Sequence, residues 1–243
     1  RTVSVWLDIV RDAEELCPGA VILNYANPMS VLMLSAGRIS NMQMVGLCHS
    51  VQGTSHLLAD RAGVPYEEME WDCAGINHLA WFTKLQHKGE DLYPRLMEKA
   101  RLDLAGTPPD PEDSKDLVRK DMMLNFGAFI TESSGHLSEY LPYYRKRPDL
   151  IEQYSRDRYH GGSSFYADNW PEWRANADAE RMAMVRGEES IEWERSWEYA
   201  SWIIEAREKN SPYVIHGNVM NVRDGAGPLI SNLPHDGCVE VAC

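Results

Sequence analysis

Two short apolar stretches, each followed by a polar break and a helical pattern, constrain the fold of this chain most. They cover residues 20–25 and 42–47, and runs of this length and composition are typical of buried parallel strands. Helical segments follow at residues 29–35 and 49–62. Pro28 suits the first position of the first helix, and Gly63 follows the second. This order of strands and helices predicts an α/β fold.

Polar residues with metal-binding chemistry follow these strands. Asn27 and Cys48 come just past the two strand ends, where open α/β sheets bind ligands. A divalent metal held by Cys48 and His78 would keep open positions for a substrate, as catalytic sites do. The alternative for both residues is a core position, because a lone cysteine is usually a small buried apolar residue. The five cysteines form no C-x-x-C pair, the usual pattern of a structural zinc site.

The remaining elements are predicted from apolar periodicity and from Gly and Pro breaks. The pattern places strands at residues 69–74, 79–86, 213–219 and 237–243, helices at 5–16, 117–129, 170–187 and 191–209, and a solvated loop at 107–111. Trp193 and Trp197 are four residues apart and share a helix face, so we expect them and Trp202 to pack against another helix or subunit. Sugar stacking is the alternative. The basic run 145–147 is expected on a solvated face.

Charge and composition exclude several classes of partner. The formal net charge is −13, from 24 basic and 37 acidic residues, which argues against nucleic acid and anionic membranes. No apolar run reaches the roughly 18 residues of a membrane-spanning helix, and no signal peptide pattern is present at the start. Unpaired cysteines point to a cytoplasmic protein.

The Gly-rich fingerprint of dinucleotide-binding folds is missing. No G-x-G-x-x-G occurs in the sequence, although such folds use this turn to place the pyrophosphate at a helix N-terminus. The sequence also begins directly in a helical pattern and finishes within a strand pattern. We therefore expect an interior piece of a longer protein.

Several motifs together resemble glycoside hydrolase family 4, in particular its melibiase-type α-galactosidases. The resemblance covers the chain from near Cys17 to Cys243, and the block around Cys48 is its most specific part. The motifs that carry it are residues 24–29, 45–54, 73–78, 131–136, 139–140, 217–219 and 232–234. It implies the latter part of a Rossmann-like, lactate/malate dehydrogenase-like domain over residues 1–70. An α+β domain that binds metal and sugar would follow over residues 71–243. The Gly-rich fingerprint would then lie upstream of Arg1, and the present piece alone would be inactive.

The resemblance also implies an unusual glycosidase chemistry, because this NAD-dependent family departs from the two-carboxylate scheme. NAD⁺ would oxidise the sugar C3 hydroxyl, and the ketone would acidify the C2 proton. A base would remove that proton while a metal, usually Mn²⁺, stabilises the negative charge. The aglycone would leave by elimination, water would add, and the ketone would be reduced. Other divalent ions are expected to bind as well. The expected partners are a small sugar substrate and further copies of the chain, in a homodimer or homotetramer.

Residue roles follow from position in the matching motifs. Cys48 and His78 correspond to the metal ligands, Asn27 and Asn77 to substrate-binding residues, and Asn24 to a cofactor contact. Turn positions are the alternative for both Asn27 and Asn77. The candidate acid is His49, where some relatives carry an acidic residue. Tyr140 is the first candidate for the base, followed by His136 and Glu139, and a pocket-wall aromatic is its alternative.

Other functions remain open from the sequence alone. An α-glucosidase or α-galacturonidase would use the same chemistry, whereas phospho-sugar specificity is not favoured because no basic cluster accompanies the site motifs. A metal-independent NAD dehydrogenase of the lactate/malate type would need a catalytic His-Asp pair and substrate-binding arginines. A fragment that only packs or oligomerises is the non-enzyme alternative.

Overall fold

The computed structural model describes residues 1–106, 116–154, 165–191, 195, 198–222 and 227–243. The helices are α1 (Thr2–Leu16), α2 (Met29–Gly37), α3 (His49–Ala62), α4 (Tyr93–Ala105), α5 (Leu117–Phe126), α6 (Ser134–Tyr140), α7 (Pro148–Tyr154), α8 (Phe165–Val185) and α9 (Ala200–Lys209). The strands are β1 (Val21–Asn24), β2 (Gln43–Gly46), β3 (Met69–Ala74), β4 (Trp81–His87), β5 (Glu90–Asp91), β6 (Phe129–Ile130), β7 (His216–Met220) and β8 (Cys238–Ala242). A short 3₁₀ turn, Tyr66–Glu68, precedes β3.

The first sheet combines strands from both ends of the sequence, in the order β1-β2-β7-β8. β1 and β2 are parallel, with Asn24 level with Gly46. β7 is antiparallel to β2 at the Gly46–Asn218 pair, and β8 is antiparallel to β7. The carboxyl ends of β1 and β2 therefore lie at one edge of the sheet, next to the antiparallel pair β7–β8.

Helices α1 and α2 pack on this first sheet. Trp6 and Leu32 are buried in one cluster, and the Trp6 indole N–H donates a 2.8 Å hydrogen bond to the Leu32 carbonyl. Met29 and Met33 of α2 pack with Cys238 of β8. The apolar face of α2 thus covers the sheet immediately beside the end of β1.

The second sheet is an antiparallel hairpin of β3 and β4, with β5 and β6 both paired to β4. Its core includes Leu58 of α3, Phe82 of β4 and Leu96 of α4. The backbone groups of Gly75 and Glu240 form an antiparallel bridge between the two sheets. A Cβ at Gly75 would lie 2.6 Å from the Ala80 Cα, so glycine allows the turn after β3 to fold back onto the start of β4.

The structure confirms the predicted α/β class and most of the elements. The predicted helix 49–62 and strand 69–74 have the same bounds in the structure. The predicted helix 117–129 ends at Phe126, because Gly127 adopts a left-handed conformation with φ 82°, and Phe129–Ile130 form β6 instead.

Three predictions in the later part of the chain need correction or fall outside the described residues. Residues 191–209 do not form one helix as far as they are described, since a turn at Tyr199 precedes α9. The strand predicted from Tyr213 begins at His216. The loop at 107–111 and the side chains of Trp193 and Trp197 lie outside the described residues. Within the described ranges, no helix is both long and apolar enough to cross a membrane.

Candidate metal and sugar site

A cavity of about 370 Å³ lies at the carboxyl ends of β1 and β2. The backbone N–H of Leu47 donates a 2.8 Å hydrogen bond to the Asn24 carbonyl, which holds the two strand ends together. Residues from four separate segments face this cavity, among them Asn27, Cys48, His49, His78, Glu132 and His136. The structure therefore brings together side chains that the sequence analysis had placed in separate motifs.

Cys48 lies at the junction between β2 and α3, where it is the residue before the first helical turn. Its thiol lies 3.2 Å from the Ser50 hydroxyl. Burial favours the neutral thiol, but hydrogen bonds from His78 and Ser50 favour the thiolate, and the pKa of Cys48 is lowered as a result. A lowered pKa makes the thiolate, which is the form that binds metal, more available.

His78 lies in the turn between β3 and β4 and has a left-handed backbone with φ 63°. Its Nδ1 lies 2.8 Å from a carboxylate oxygen of Glu132 and 3.3 Å from the Tyr140 hydroxyl. Hydrogen bonds with Cys48 and Glu132 raise the pKa of His78 to about 11, against the opposing effect of burial. The hydrogen bond between Cys48 and His78 thus lowers the pKa of the thiol and raises that of the imidazole, and a divalent cation would take the place of the proton between them.

Glu132 is a site residue to which the sequence analysis gave no role, although it lies within one of the motifs. It is 7% exposed, and it accepts a 2.6 Å hydrogen bond from the Ser133 N–H. Burial would raise the pKa of this carboxyl, but the hydrogen bond from His78 outweighs it and the pKa is lowered. A carboxylate on Nδ1 leaves Nε2 of the same imidazole to bind a metal, a common arrangement around protein metal ions.

The donor set fits a divalent metal at a catalytic position. Across the part of the chain that the structure describes, no three His, Cys, Asp or Glu side chains are grouped so that they could hold a metal ion. A divalent cation held by Cys48 and His78 would have a soft and a borderline ligand, and its other positions would be left to substrate oxygens. This is the open coordination expected of a catalytic centre rather than a structural one.

His49, the candidate acid, lies at the edge of the same cavity. Its Nε2 is hydrogen-bonded to a carboxylate oxygen of Glu198, and its ring stacks on Tyr25 with 5.5 Å between the centroids. Glu198 and Tyr25 were not identified from the sequence as site residues. Because Glu198 is 149 positions away along the chain, no local pattern could have indicated this contact.

The three candidate bases all belong to α6 and differ in their contacts. Tyr140 contacts His78 through its hydroxyl, and its ring lies 6.2 Å from the His136 ring. His136 lines the cavity, and its Nδ1 is 3.2 Å from Glu139. Glu139 also forms a 3.5 Å ion pair with Arg145. Tyr140 is therefore the candidate placed directly against a proposed metal ligand.

The asparagine candidates divide into one that faces the cavity and two that do not. Asn27 lines the cavity and accepts a 3.2 Å hydrogen bond from the Met29 N–H. Asn24 is 4% exposed, and its side-chain amide bonds the Ala26 backbone instead of facing the cavity. Asn77 donates a 3.3 Å hydrogen bond to Glu240. The cofactor contact at Asn24 and the sugar contact at Asn77 stay predictions.

The structure adds contacts for two further residues considered in the sequence analysis. Arg145 is not simply solvated, because its guanidinium donates to the Ser138 hydroxyl at 2.8 Å and to the Gly135 carbonyl at 3.1 Å. Trp202 lies under the Arg195 guanidinium, 3.3 Å from the ring centroid. This ring face is covered and does not line the cavity, so the expected packing role suits Trp202 better than sugar stacking.

Comparison with known proteins places these residues in a family. Residues 73–243 match the model of the family 4 glycosyl hydrolase C-terminal domain, and residues 1–64 match that of family 4 glycosyl hydrolase. The chain is 39% identical to an α-galactosidase from Bacillus subtilis over 100% of its length and 53% of that protein. It is 38% identical to an α-galactosidase from Rhizobium meliloti over 99% of its length and 48% of that protein. The chain thus spans about half the length of these relatives.

Solved structures agree with this assignment. A Bacillus subtilis protein described as a glucosidase (lplD) is 26% identical, with a TM-score of 0.78 over 99% of this chain and 56% of that one. A 6-phospho-α-glucosidase from gut microorganisms, solved with NAD and Mn²⁺, is 22% identical with a TM-score of 0.64, over 99% of this chain and 55% of its own. At that identity the second likeness concerns the fold alone, a Rossmann-like part followed by an α+β part.

Proposed function

Since the chain belongs to glycosyl hydrolase family 4, we propose that the protein containing it hydrolyses α-galactosides with NAD and a divalent metal as cofactors. The observation that carries this proposal is the Cys48–His78 pair, which faces a cavity at the carboxyl ends of β1 and β2. Family membership argues against a metal-independent dehydrogenase, and the two α-galactosidase relatives support the choice of sugar.

We propose that the Cys48 thiolate and the His78 imidazole hold the metal, usually Mn²⁺ in this family. When bound, NAD supplies reversible oxidation at sugar C3, and the metal supplies positive charge at the neighbouring sugar oxygens. Glu132 contributes by fixing the imidazole of His78 through Nδ1. The Asn27 side chain borders the same cavity, where its amide can bind a sugar hydroxyl.

The proton transfers are assigned to Tyr140 and His49. Tyr140 is the proposed base for the proton on sugar C2, because its hydroxyl is within hydrogen-bond distance of His78, next to the proposed metal. His49 is the proposed acid for the leaving oxygen. Its Nε2 is oriented by the Glu198 carboxylate, and imidazole can hold and release a proton near neutral pH.

We also propose a cytosolic location and a substrate without phosphate. All five cysteines are free thiols, the state that the reducing cytosol maintains. The nearest part of the basic run, Arg145, already donates to the backbone and side chain of α6. The guanidinium of Arg145 is therefore engaged within the protein, which argues against a role in binding a sugar phosphate.

The test is hydrolysis of an aryl α-galactoside by the full-length protein under reducing conditions, with NAD⁺ and Mn²⁺ omitted in turn. We expect activity only when both are present. A parallel assay with an aryl α-galacturonide addresses the alternative substrate, since relatives with that activity are 25–30% identical to the chain. Activity on the galacturonide alone would keep the mechanism and change the sugar.

Isotope exchange tests the chemistry itself. Elimination requires removal of the proton on sugar C2, so product formed in deuterated water should carry deuterium at that carbon. Hydrolysis that needs no NAD⁺, or product without deuterium at C2, would contradict the proposed mechanism and indicate a conventional two-carboxylate glycosidase.

A further inference from the structure

The Tyr199 hydroxyl bridges both backbone polar groups of Cys48. The Cys48 N–H donates a 2.6 Å hydrogen bond to the Tyr199 oxygen, and the Tyr199 O–H donates a 2.7 Å hydrogen bond to the Cys48 carbonyl. The two residues are 151 positions apart, and Tyr199 is 1% exposed. A single buried side chain from the turn before α9 thus holds the backbone of Cys48 on both sides of its Cα.

The position of Cys48 explains why such a bridge matters. Cys48 precedes the first turn of α3 with an extended backbone (φ −129°, ψ 140°), and helix starts leave backbone N–H groups without intrahelical partners. The direction of the Cys48 side chain follows from its backbone orientation. A contact that fixes both the N–H and the carbonyl therefore fixes the direction in which the thiolate points.

The surroundings of Tyr199 make the bridge rigid. Its ring meets the Tyr25 ring edge-on, with 6.2 Å between the centroids, and the Tyr25 oxygen accepts a 3.3 Å hydrogen bond from the Ala200 N–H. Glu198, the preceding residue, holds His49.

We infer that Tyr199 is a positioning residue for the metal site, because its hydroxyl sets the backbone of Cys48 and thereby the direction of the thiolate. Tyr199 does not touch the cavity itself. The inference rests on the proposed role of Cys48 as a metal ligand, and it adds a contact that links α9 to the metal centre.

The test is Tyr199→Phe in the full-length protein, which removes the hydroxyl and keeps the buried ring. Mn²⁺ affinity should fall about 10- to 100-fold, the usual effect of removing a group that orients a ligand. The thiolate-to-metal charge-transfer absorption of the Co²⁺-loaded protein should shift or weaken, because it depends on the orientation of the Cys48 sulfur. A residue with only a structural role would lower stability and leave this band unchanged.

Tyr93→Phe is the matched control. The Tyr93 hydroxyl also bridges a carbonyl and an N–H, those of Phe82 and Phe129, but Tyr93 belongs to α4, bonds strands of the second sheet and does not line the cavity. We expect Tyr93→Phe to keep the wild-type Mn²⁺ affinity.

Cys48→Ser distinguishes a failure of the proposed metal site from a failure of the positioning role of Tyr199. If Cys48→Ser abolishes Mn²⁺ binding while Tyr199→Phe leaves both affinity and spectrum unchanged, the positioning role is overturned and the metal site stands. If Cys48→Ser retains wild-type affinity, Cys48 is not a ligand, and the proposed metal site and this inference are both overturned.

Discussion

At the scale of single residues, the base assignment makes the sharpest prediction. Tyr140→Phe should lower kcat by about 10²- to 10⁴-fold, the usual contribution of a general base. Mn²⁺ affinity should change much less than kcat, because Glu132 still holds the His78 Nδ1 at 2.8 Å when the Tyr140 hydroxyl is lost. Steady-state kinetics and Mn²⁺ titration give both quantities.

Tyr143→Phe is the control for this substitution, since Tyr143 is an exposed tyrosine close by in the sequence whose ring packs on Tyr144 rather than on a proposed metal ligand. Its kcat should equal that of the wild type. If His136→Gln reduces kcat to the expected extent and Tyr140→Phe does not, the base is His136, the second candidate.

The sequence could predict site residues only where the chemistry is local. Asn27, Cys48 and His78 belong to short motifs just past strand ends, and the structure brings them together around one cavity or beside it. Tyr199 and Glu198 could not be found in this way, because their contacts with Cys48 and His49 join segments about 150 positions apart and depend on how α9 packs. Glu132 is intermediate, since its motif was recognised but its contact with His78 depends on the turn after β3.

At the scale of elements, Gly46 determines how closely α2 and β7 approach β2. A Cβ at this position would lie 2.4 Å from the Met29 sulfur and 2.9 Å from the Asn218 Cβ. Gly46→Ala should therefore lower the free energy of unfolding by about 1–3 kcal/mol, as overpacking in a core does. Gly53→Ala is the matched control, because its Cβ would meet nothing within 4 Å and alanine favours a helix interior by about 0.5–1 kcal/mol. Urea unfolding that ranks the two variants equally would contradict this account.

A buried ion pair between α3 and α5 predicts a pH dependence of stability. Asp116 is bonded by the Arg119 guanidinium at 2.7 and 2.9 Å and is paired with Arg61 of α3. Burial opposes ionisation of Asp116, but the two arginines outweigh it and lower its pKa. The stabilisation is therefore present above the unfolded pKa of about 3.9 and is lost as pH falls through the lower folded value.

Asp116→Asn tests this pair. At neutral pH it should lower the free energy of unfolding by about 3–5 kcal/mol, because one partner of a buried pair is removed. When the pH falls below the unfolded pKa of the Asp116 carboxyl, the free energy of unfolding of the variant should decrease less than that of the wild type. Asp149→Asn, which breaks the exposed pair with Arg147, should change neither quantity. If urea unfolding gives the same decrease in the free energy of unfolding with falling pH for Asp116→Asn and the wild type, the pair with Asp116 is not the source of the pH dependence.

Element types and bounds followed from sequence wherever local signals were strong. The helix 49–62 ends at Gly63, whose left-handed backbone has φ 66°, and glycine at that position is a local stop signal. Gly127 is a stop signal of the same kind. The helix predicted to reach residue 129 was too long because the prediction gave more weight to the apolar residues after Gly127 than to this glycine. Periodicity alone cannot distinguish a last helical turn from a short strand.

At the scale of the whole molecule, strand pairing was the least predictable feature. β7 and β8 come from the far end of the sequence and pair beside β2, and no local pattern specifies such a partner. The division into residues 1–70 and 71–243 and the association into a homodimer or homotetramer stay predictions. Size-exclusion chromatography with light scattering on the full-length protein measures the second directly.

The two sheets are joined next to the proposed metal site, and the free energy of this contact can be measured. Glu240 of β8 is fully buried, and it accepts hydrogen bonds from Asn218 at 2.9 Å and from Asn77 at 3.3 Å. Asn77 precedes His78, so this carboxyl ties the turn that carries a proposed ligand to the first sheet. Glu240→Ala should be destabilising, because the buried Asn218 amide loses its 2.9 Å acceptor, at a cost of about 1–3 kcal/mol.

A double-mutant cycle isolates the bond between the sheets from this larger loss. Asn77→Ala and Glu240→Ala, alone and combined, should give free energies of unfolding that are not additive, with a coupling of about 0.5–3 kcal/mol. The control cycle pairs Glu240→Ala with Asn125→Ala, since Asn125 is exposed and bonds only within its own helix as far as the described contacts show; those two changes should add. Additive energies in both cycles would mean that the Gly75–Glu240 backbone bridge, rather than the carboxyl, holds the His78 turn against the first sheet.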